Sequence, residues 1–184
     1  MAERHKNVPA PWVVPVTVDD IPEEGGQRFD LVADAPTRAA VARIAGLRDL
    51  PRLEADFEVT RYGAGGLRAV GRVSATVGQA CVVTLEPLIN EVDEEVAIAF
   101  APQVAAARQA GETGPAKETA AETEPLISGT IDLGVLATEF LILGLDPYPR
   151  KPDAVFQPPQ DATAEEGPFA ALAALKKDRQ EGPQ

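Results

Sequence analysis

The chain is poor in the residues that most often carry chemistry. It has one cysteine, one histidine, one methionine and one tryptophan in 184 positions, and aromatic residues make up only 5% of it. One cysteine excludes a disulfide framework within the chain, and one cysteine with one histidine cannot complete an ordinary Cys/His zinc site. The histidine, His5, falls in a polar N-terminal stretch with no scaffold to hold it as a general base. Neither H-E-x-x-H nor D-x-D-x-D-G spacing occurs. The GAGG at 63–66 lacks the lysine and the Ser/Thr of a phosphate-binding loop, so it reads as a turn. No run approaches the ~18 apolar residues of a membrane span, and the N-terminal MAERHKNVPAPWVV has basic residues but no continuous apolar stretch. The expectation is a soluble, cytoplasmic protein with no catalytic residue, no metal ligand and no cofactor.

Charge is abundant and one-sided. Asp and Glu number 29 against 17 Lys and Arg, a net charge of -12. That balance opposes non-specific binding to DNA or RNA, which draws its affinity from cations displacing counterions at phosphates. Any RNA contact must be local. The one basic region runs from Arg38 to Arg72, where seven arginines face four acids for a net of +3. It reads either as ordinary solvated charge or as a binding patch. Apolar residues make up 45% of the chain, enough for a core built mainly from Val, Leu, Ile and Ala.

Periodicity predicts an α+β fold in one domain over 13–156. Val14, Val16 and Val18 alternate in an edge strand over 13–21, with Pro15 keeping it from the centre of a sheet. Asp34 caps a short helix with Pro36 in its first turn, ending near Gly46. Leu53, Ala55, Phe57 and Val59 alternate with Glu54, Asp56, Glu58 and Thr60, the pattern of a strand with one face in water. After the glycine turn, a second strand runs from Leu67 to Val77. A further strand is expected over Cys81–Leu85, broken by Pro87, and another over Glu91–Phe100. Short connections between strands predict a meandering antiparallel sheet with two or three helices packed on it. Residues 101–125 contain almost no large apolar side chain and read as a mobile loop. A flexible tail over 1–12 and a polar tail over 157–184 complete the chain, the latter with a short helix at 168–177. From Ile131 to Phe156, IDLGVLATEFLILGLDPYPRKPDAVF reads as a nearly all-apolar helix. Asp132 caps it, and Gly144, Pro147 and Pro149 stop it.

This last segment, together with CVVTLEPL at 81–88, resembles the YceD family, the large ribosomal RNA subunit accumulation proteins, in an alphaproteobacterial form. The resemblance covers roughly 14–156, with PFAALAALK at 168–176 as a further shared element. Other members often carry a second cysteine three residues after the first. Here that position is Thr84, so no thiol or zinc role carries over. The resemblance implies a non-enzymatic factor in ribosome biogenesis, needed for rRNA accumulation and large-subunit assembly. It also implies a link to a small basic ribosomal protein or a large-subunit assembly intermediate. Neither a membrane nor DNA is an expected partner. The competing classes are a metal-dependent enzyme of undetermined reaction and an interaction module outside ribosome biology.

Three groups of residues are candidate sites. Asp146, Pro147, Tyr148, Pro149, Arg150 and Lys151 form a turn in which prolines fix the backbone and Tyr, Arg and Lys offer stacking and charged hydrogen bonds. Its plainer reading is an Asx-turn at Asp146, Tyr148 packed over the sheet edge, and solvated cations. Arg61, Arg68 and Arg72 are candidate RNA contacts. Glu86, Glu91, Asp93, Glu94 and Glu95 are candidate contacts to a basic partner; alternatively they guard a sheet edge against aggregation. Cys81 reads as a buried, inert thiol at the start of a strand. Glu139, on the apolar helix, is either a buried carboxylate with a raised pKa or a group that pairs with an arginine or reaches the surface.

Overall fold

In a computed structural model of the chain, residues 10–102 and 123–156 are described. The chain divides into two units, Met1–Ala154 and Val155–Gln184. Of the second, only Val155 and Phe156 are described. Most of the N-terminal tail, the body of the loop expected over 101–125, and the helix expected at 168–177 lie outside the described residues.

The first unit is α+β, as its pattern predicts. β2 (Gly26–Val32), β3 (Asp49–Tyr62), β4 (Gly66–Ala80), β5 (Pro87–Pro102) and β6 (Thr123–Leu126) form one sheet in that order. The first four make an antiparallel meander. β6 adds parallel to β5, so the sheet is mixed at that edge. The ends of the expected loop are therefore strand, since Ala101 and Pro102 belong to β5 and residues 123–125 to β6. β1 (Pro15–Thr17) pairs with β7 (Thr130–Asp132) in a separate two-stranded ribbon, and a 3-10 turn over Val18–Asp20 replaces the second half of the expected first strand.

Period-two alternation fixes which side of the sheet is the core. Leu53, Ala55, Phe57 and Val59 of β3, with Leu67, Ala69, Val73, Ala75 and Val77 of β4, are buried on the inner face. Gly71, opposite Phe57, lets the strands close up there: a Cβ at Gly71 would stand 1.9 Å from the Asp56 carbonyl oxygen. Both helices pack on this inner face. α1 (Ala35–Ala45) starts where the Asp34 carboxylate accepts from Thr37 N–H and ends at Gly46 in the left-handed region. It contributes Val41 and Ala42 to the buried cluster.

α2 (Leu133–Leu143) buries Leu133, Gly134, Leu136, Ala137, Thr138 and Leu141. Gly134 has no room for a side chain, because a Cβ there would lie 2.7 Å from the Trp12 carbonyl oxygen. The buried Thr138 hydroxyl donates to the Gly134 carbonyl at 2.8 Å, which satisfies it within the helix. A helix so nearly apolar all round is normally covered on several sides. Ile142 and Leu143 are instead exposed at its end.

One strand differs outright. Cys81–Leu85 is the turn of the β4–β5 hairpin, closed by Cys81 N–H to the Glu86 carbonyl and Leu85 N–H to the Cys81 carbonyl, both 2.9 Å. The β-branched run suggested strand. However, β4 already extends to Ala80 and the chain must reverse before Pro87, which opens β5 as the first residue of a strand.

Candidate interaction surfaces

The outer face of the sheet carries most of its charge. Strand register places Asp30, Asp56, Arg72 and Glu95 in one row across β2 to β5, with Glu54, Ser74 and Asp93 in the next and Arg52, Thr76 and Glu91 beyond. Counting Arg28, Glu58 and Arg68, seven acids meet four arginines there. The arginines are largely engaged. Arg72 Nη1 donates to both Asp93 oxygens at 2.9 and 3.0 Å, and its Nη2 to Glu95 at 3.0 Å. Arg52 reaches Glu91 at 2.9 Å and Glu54 at 3.3 Å. Arg28 lies 3.2 Å from Asp30 and 3.7 Å from Asp56. The Thr76 hydroxyl donates to Glu91 at 2.8 Å, and this bond, with Arg52 next, holds the Glu91 carboxyl below its usual range. Such exposed pairs contribute little to stability. Their effect is to hold the charges in fixed rows with a surplus of acid.

Of the five acids proposed as contacts to a basic partner, three share this face: Glu91, Asp93 and Glu95. Glu94 does not. It lies opposite Val73 on the inner face, half-buried beneath Gly144 at the end of α2, where a Cβ on the glycine would stand 2.6 Å from its Cγ. Even spacing along a strand separates it from its neighbours. Glu86 sits in the hairpin turn. The three candidate arginines also divide. Arg68 and Arg72 lie on the outer face, whereas Arg61 shares the parity of the inner residues and its Nε donates to the Ile21 carbonyl at 2.8 Å. Of the three, Arg68 alone has no side-chain hydrogen bond or ion pair among the described residues.

The two sequence segments that carry the family resemblance meet at one end of the sheet. Val82 N–H donates to the Pro149 carbonyl at 2.9 Å, Gln79 Nε2 donates to the Asp146 carbonyl at 2.9 Å, and Lys151 Nζ donates to Glu86 at 2.8 Å. Asp146 makes the expected Asx-turn, accepting from Tyr148 N–H at 2.8 Å. Pro149 is buried. Tyr148, by contrast, does not cover the sheet edge and stands 70% exposed. Arg150 is exposed beside it, while Lys151 is paired. Across the contact, Leu85 is held at φ 61° and is 75% exposed. A leucine in the left-handed region is strained, its exposed side chain gains little from burial in return, and nothing in the sequence announces it.

Cys81 is inaccessible to solvent, as expected, but its ionisation is not that of an inert thiol. It lies in a thin turn rather than in the depth of the core, and donors surround its sulfur. The Thr84 hydroxyl, then the backbone N–H groups of Lys151, Thr84 and Val83, favour the thiolate and bring the thiol from 9.0 to about 6, with burial opposing them. Thr84 N–H lies 3.5 Å from Sγ. The Thr84 hydroxyl has one proton and also reaches Glu86 at 3.1 Å, so its share is competed for and the backbone donors are the constant part. Glu139 reaches the surface, and no arginine among the described residues pairs with it. Burial first, and then Glu124, push its carboxyl up.

Among the described residues, no group of three or more His, Cys, Asp or Glu side chains is placed to hold a metal ion. No helix there is long and apolar enough to cross a membrane. A family model described as "Large ribosomal RNA subunit accumulation protein YceD" matches residues 69–176. That span takes in β4 from Ala69 onward, β5, the hairpin turn, α2 and the Asp146–Lys151 turn. No curated protein and no solved structure matches the chain.

Proposed function

Since the chain belongs to the YceD family of large ribosomal RNA subunit accumulation proteins, we propose that it acts as a non-enzymatic factor in the cytoplasm. It supports accumulation of large-subunit ribosomal RNA by holding a small basic ribosomal protein, or an assembling particle through such a protein, against the outer face of its sheet. The family's name ties the chain to the RNA. The observation that carries the mode of action is the ordered excess of acids on that face, where Asp93, Glu95 and Glu91 already grip arginine side chains. A cationic partner finds carboxylates fixed in position, which favours fast, oriented association over bulk attraction.

Depletion in the parent organism, followed by sucrose-gradient quantification of free large and small subunits and their RNA, tests the role. A selective deficit of large-subunit particles is expected. Complementation with Glu91→Gln, Asp93→Asn and Glu95→Gln together tests the surface, and this variant is expected to fold and to fail in rescue. An unchanged gradient after verified depletion overturns the role, and full rescue by the triple variant removes the outer face from it.

A further inference from the structure

Most cations of the described residues are paired or tied to a carbonyl. Arg28, Arg52 and Arg72 pair with acids of the sheet, Lys151 pairs with Glu86, and Arg61 and Arg38 each donate to a backbone carbonyl. Arg43, Arg48, Arg68 and Arg150 have no hydrogen bond to their side chains and no ion pair among the described residues. Two of those four converge on one place. Arg43 and Arg48, with Arg38, line a shallow cavity of about 630 Å³ between α1 and the start of β3.

The cavity owes its position to the local fold. Gly46 ends α1 and turns the chain, so that Arg43 in the last helical turn and Arg48 after it both border the gap above Leu50 and Pro51. Arg48 is anchored through its backbone N–H to the Gly78 carbonyl at 2.8 Å. On the other side, Arg38 Nη1 donates to the Ala33 carbonyl at 2.6 Å, which orders its guanidinium, and its other N–H groups have no partner among the described residues. Ala35, Ala39 and Ala42 line the cavity between the arginines, so a ligand can approach the helix closely. Asp49 is the one acid in the lining.

We infer that this cavity is a phosphate-binding site for single-stranded RNA, with Arg38, Arg43 and Arg48 as its ligands. The preference for RNA over an acidic peptide rests on the ribosomal reading above. The site itself rests on the arginines. Guanidinium forks match phosphate oxygens in pairs, and a volume of about 630 Å³ falls within the range of about 300–1,000 Å³ usual for ligand clefts. In a chain of net charge -12, binding through so few cations is local and strongly dependent on salt.

The test is fluorescence anisotropy of a labelled 20-nucleotide single-stranded RNA with the full chain, titrated from low to moderate salt. Arg43→Gln with Arg48→Gln is expected to weaken binding about tenfold at low salt and to lower the salt slope by about 1.4. Arg28→Gln with Arg52→Gln, the same change in net charge, is expected to shift binding less than about twofold. Arg43→Lys with Arg48→Lys keeps the charge and is expected to restore the slope, which separates lost contacts from lost folding. Equal losses in the two glutamine variants overturn the site, as does an absence of RNA binding by the unaltered chain. Tighter binding of a labelled polyglutamate than of RNA, lost in Arg43→Gln with Arg48→Gln, overturns the RNA assignment and gives the cavity to an acidic peptide. A failed RNA titration leaves the gradient experiment on ribosomal particles unaffected, so the two readings fail separately.

Discussion

The Asp132 carboxylate joins two parts of the chain 118 residues apart: its Oδ1 accepts Val14 N–H at 2.9 Å while it also caps α2 through Gly134 and Val135 N–H at 3.0 and 3.1 Å. One oxygen therefore fixes the start of the helix and the β1–β7 ribbon together. Asp132→Ala removes the cap and leaves the partly buried Val14 N–H without that acceptor, so a loss of about 2–3 kcal/mol is expected. All three bonds use the same oxygen, so Asp132→Asn, which keeps a carbonyl there, is expected to cost less than about 1 kcal/mol. Urea denaturation of both variants checks this. Equal losses would mean that the charge, not the acceptor, holds the joint.

Ionisation of Cys81 predicts a pH dependence of stability. Its folded pKa is lowered from 9.0 to about 6. A depressed pKa adds stability that is fully present above the unfolded value near 9 and is lost as pH falls through the folded value near 6. The stability of the native chain relative to Cys81→Ser should therefore rise between pH 6 and pH 9 and level off beyond. Thiolate absorbance near 240 nm in the folded protein should show a midpoint near 6. A midpoint near 9 would show that the surrounding N–H groups do not hold a thiolate.

Leu85 offers a gain rather than a loss. At φ 61° a leucine carries a cost of about 1–2 kcal/mol that glycine avoids, and at 75% exposure it buries little in return. After glycine's larger entropy on unfolding, Leu85→Gly is expected to stabilise the protein by about 0.5–1 kcal/mol. Thermal unfolding measures this directly. If the stabilised variant fails to restore large subunits after depletion, the exposed leucine is kept for contact with a partner despite its strain.

The parts of the fold that were legible in the sequence are those in which burial imposes a clean period. β3 alternates without a break from Leu53 to Thr60, and α1 and α2 carry their own caps in Asp34 and Asp132. β2 was not legible because, as an edge strand, its inner face holds only Gln27, Phe29 and Leu31, none fully buried. Cys81–Leu85 misled for the opposite reason: its residues favour strands, but the hairpin needed a turn there. At the candidate surfaces, residue types were readable and faces were not. Glu94 was grouped with Glu91, Asp93 and Glu95 by proximity in sequence, and the pleat sends it to the other side. The meeting of Val82 with Pro149 depends on contacts between segments far apart in sequence, which no local pattern encodes.

Arg72 separates the two modes of ribosomal contact. Its guanidinium sits between Asp93 and Glu95, with bonds of 2.9–3.0 Å to both. A direct RNA contact through Arg72 would be weakened by Arg72→Ala. If instead the outer face receives a cationic partner, the same substitution releases two carboxylates and raises the negative surplus of the face, so the partner should bind more tightly. The expected change is about two- to fivefold at low salt, equivalent to the ~0.4–1 kcal/mol of an exposed ion pair, and it should fade as salt rises. Stability should move by less than about 1 kcal/mol, because the pairs are exposed on both sides. Surface plasmon resonance with a lysine- and arginine-rich ribosomal-protein peptide as analyte, at two salt concentrations, measures this. Weaker peptide binding by Arg72→Ala would overturn the gain expected from the added negative surplus and show that Asp93 and Glu95 receive the partner only while Arg72 holds them in place.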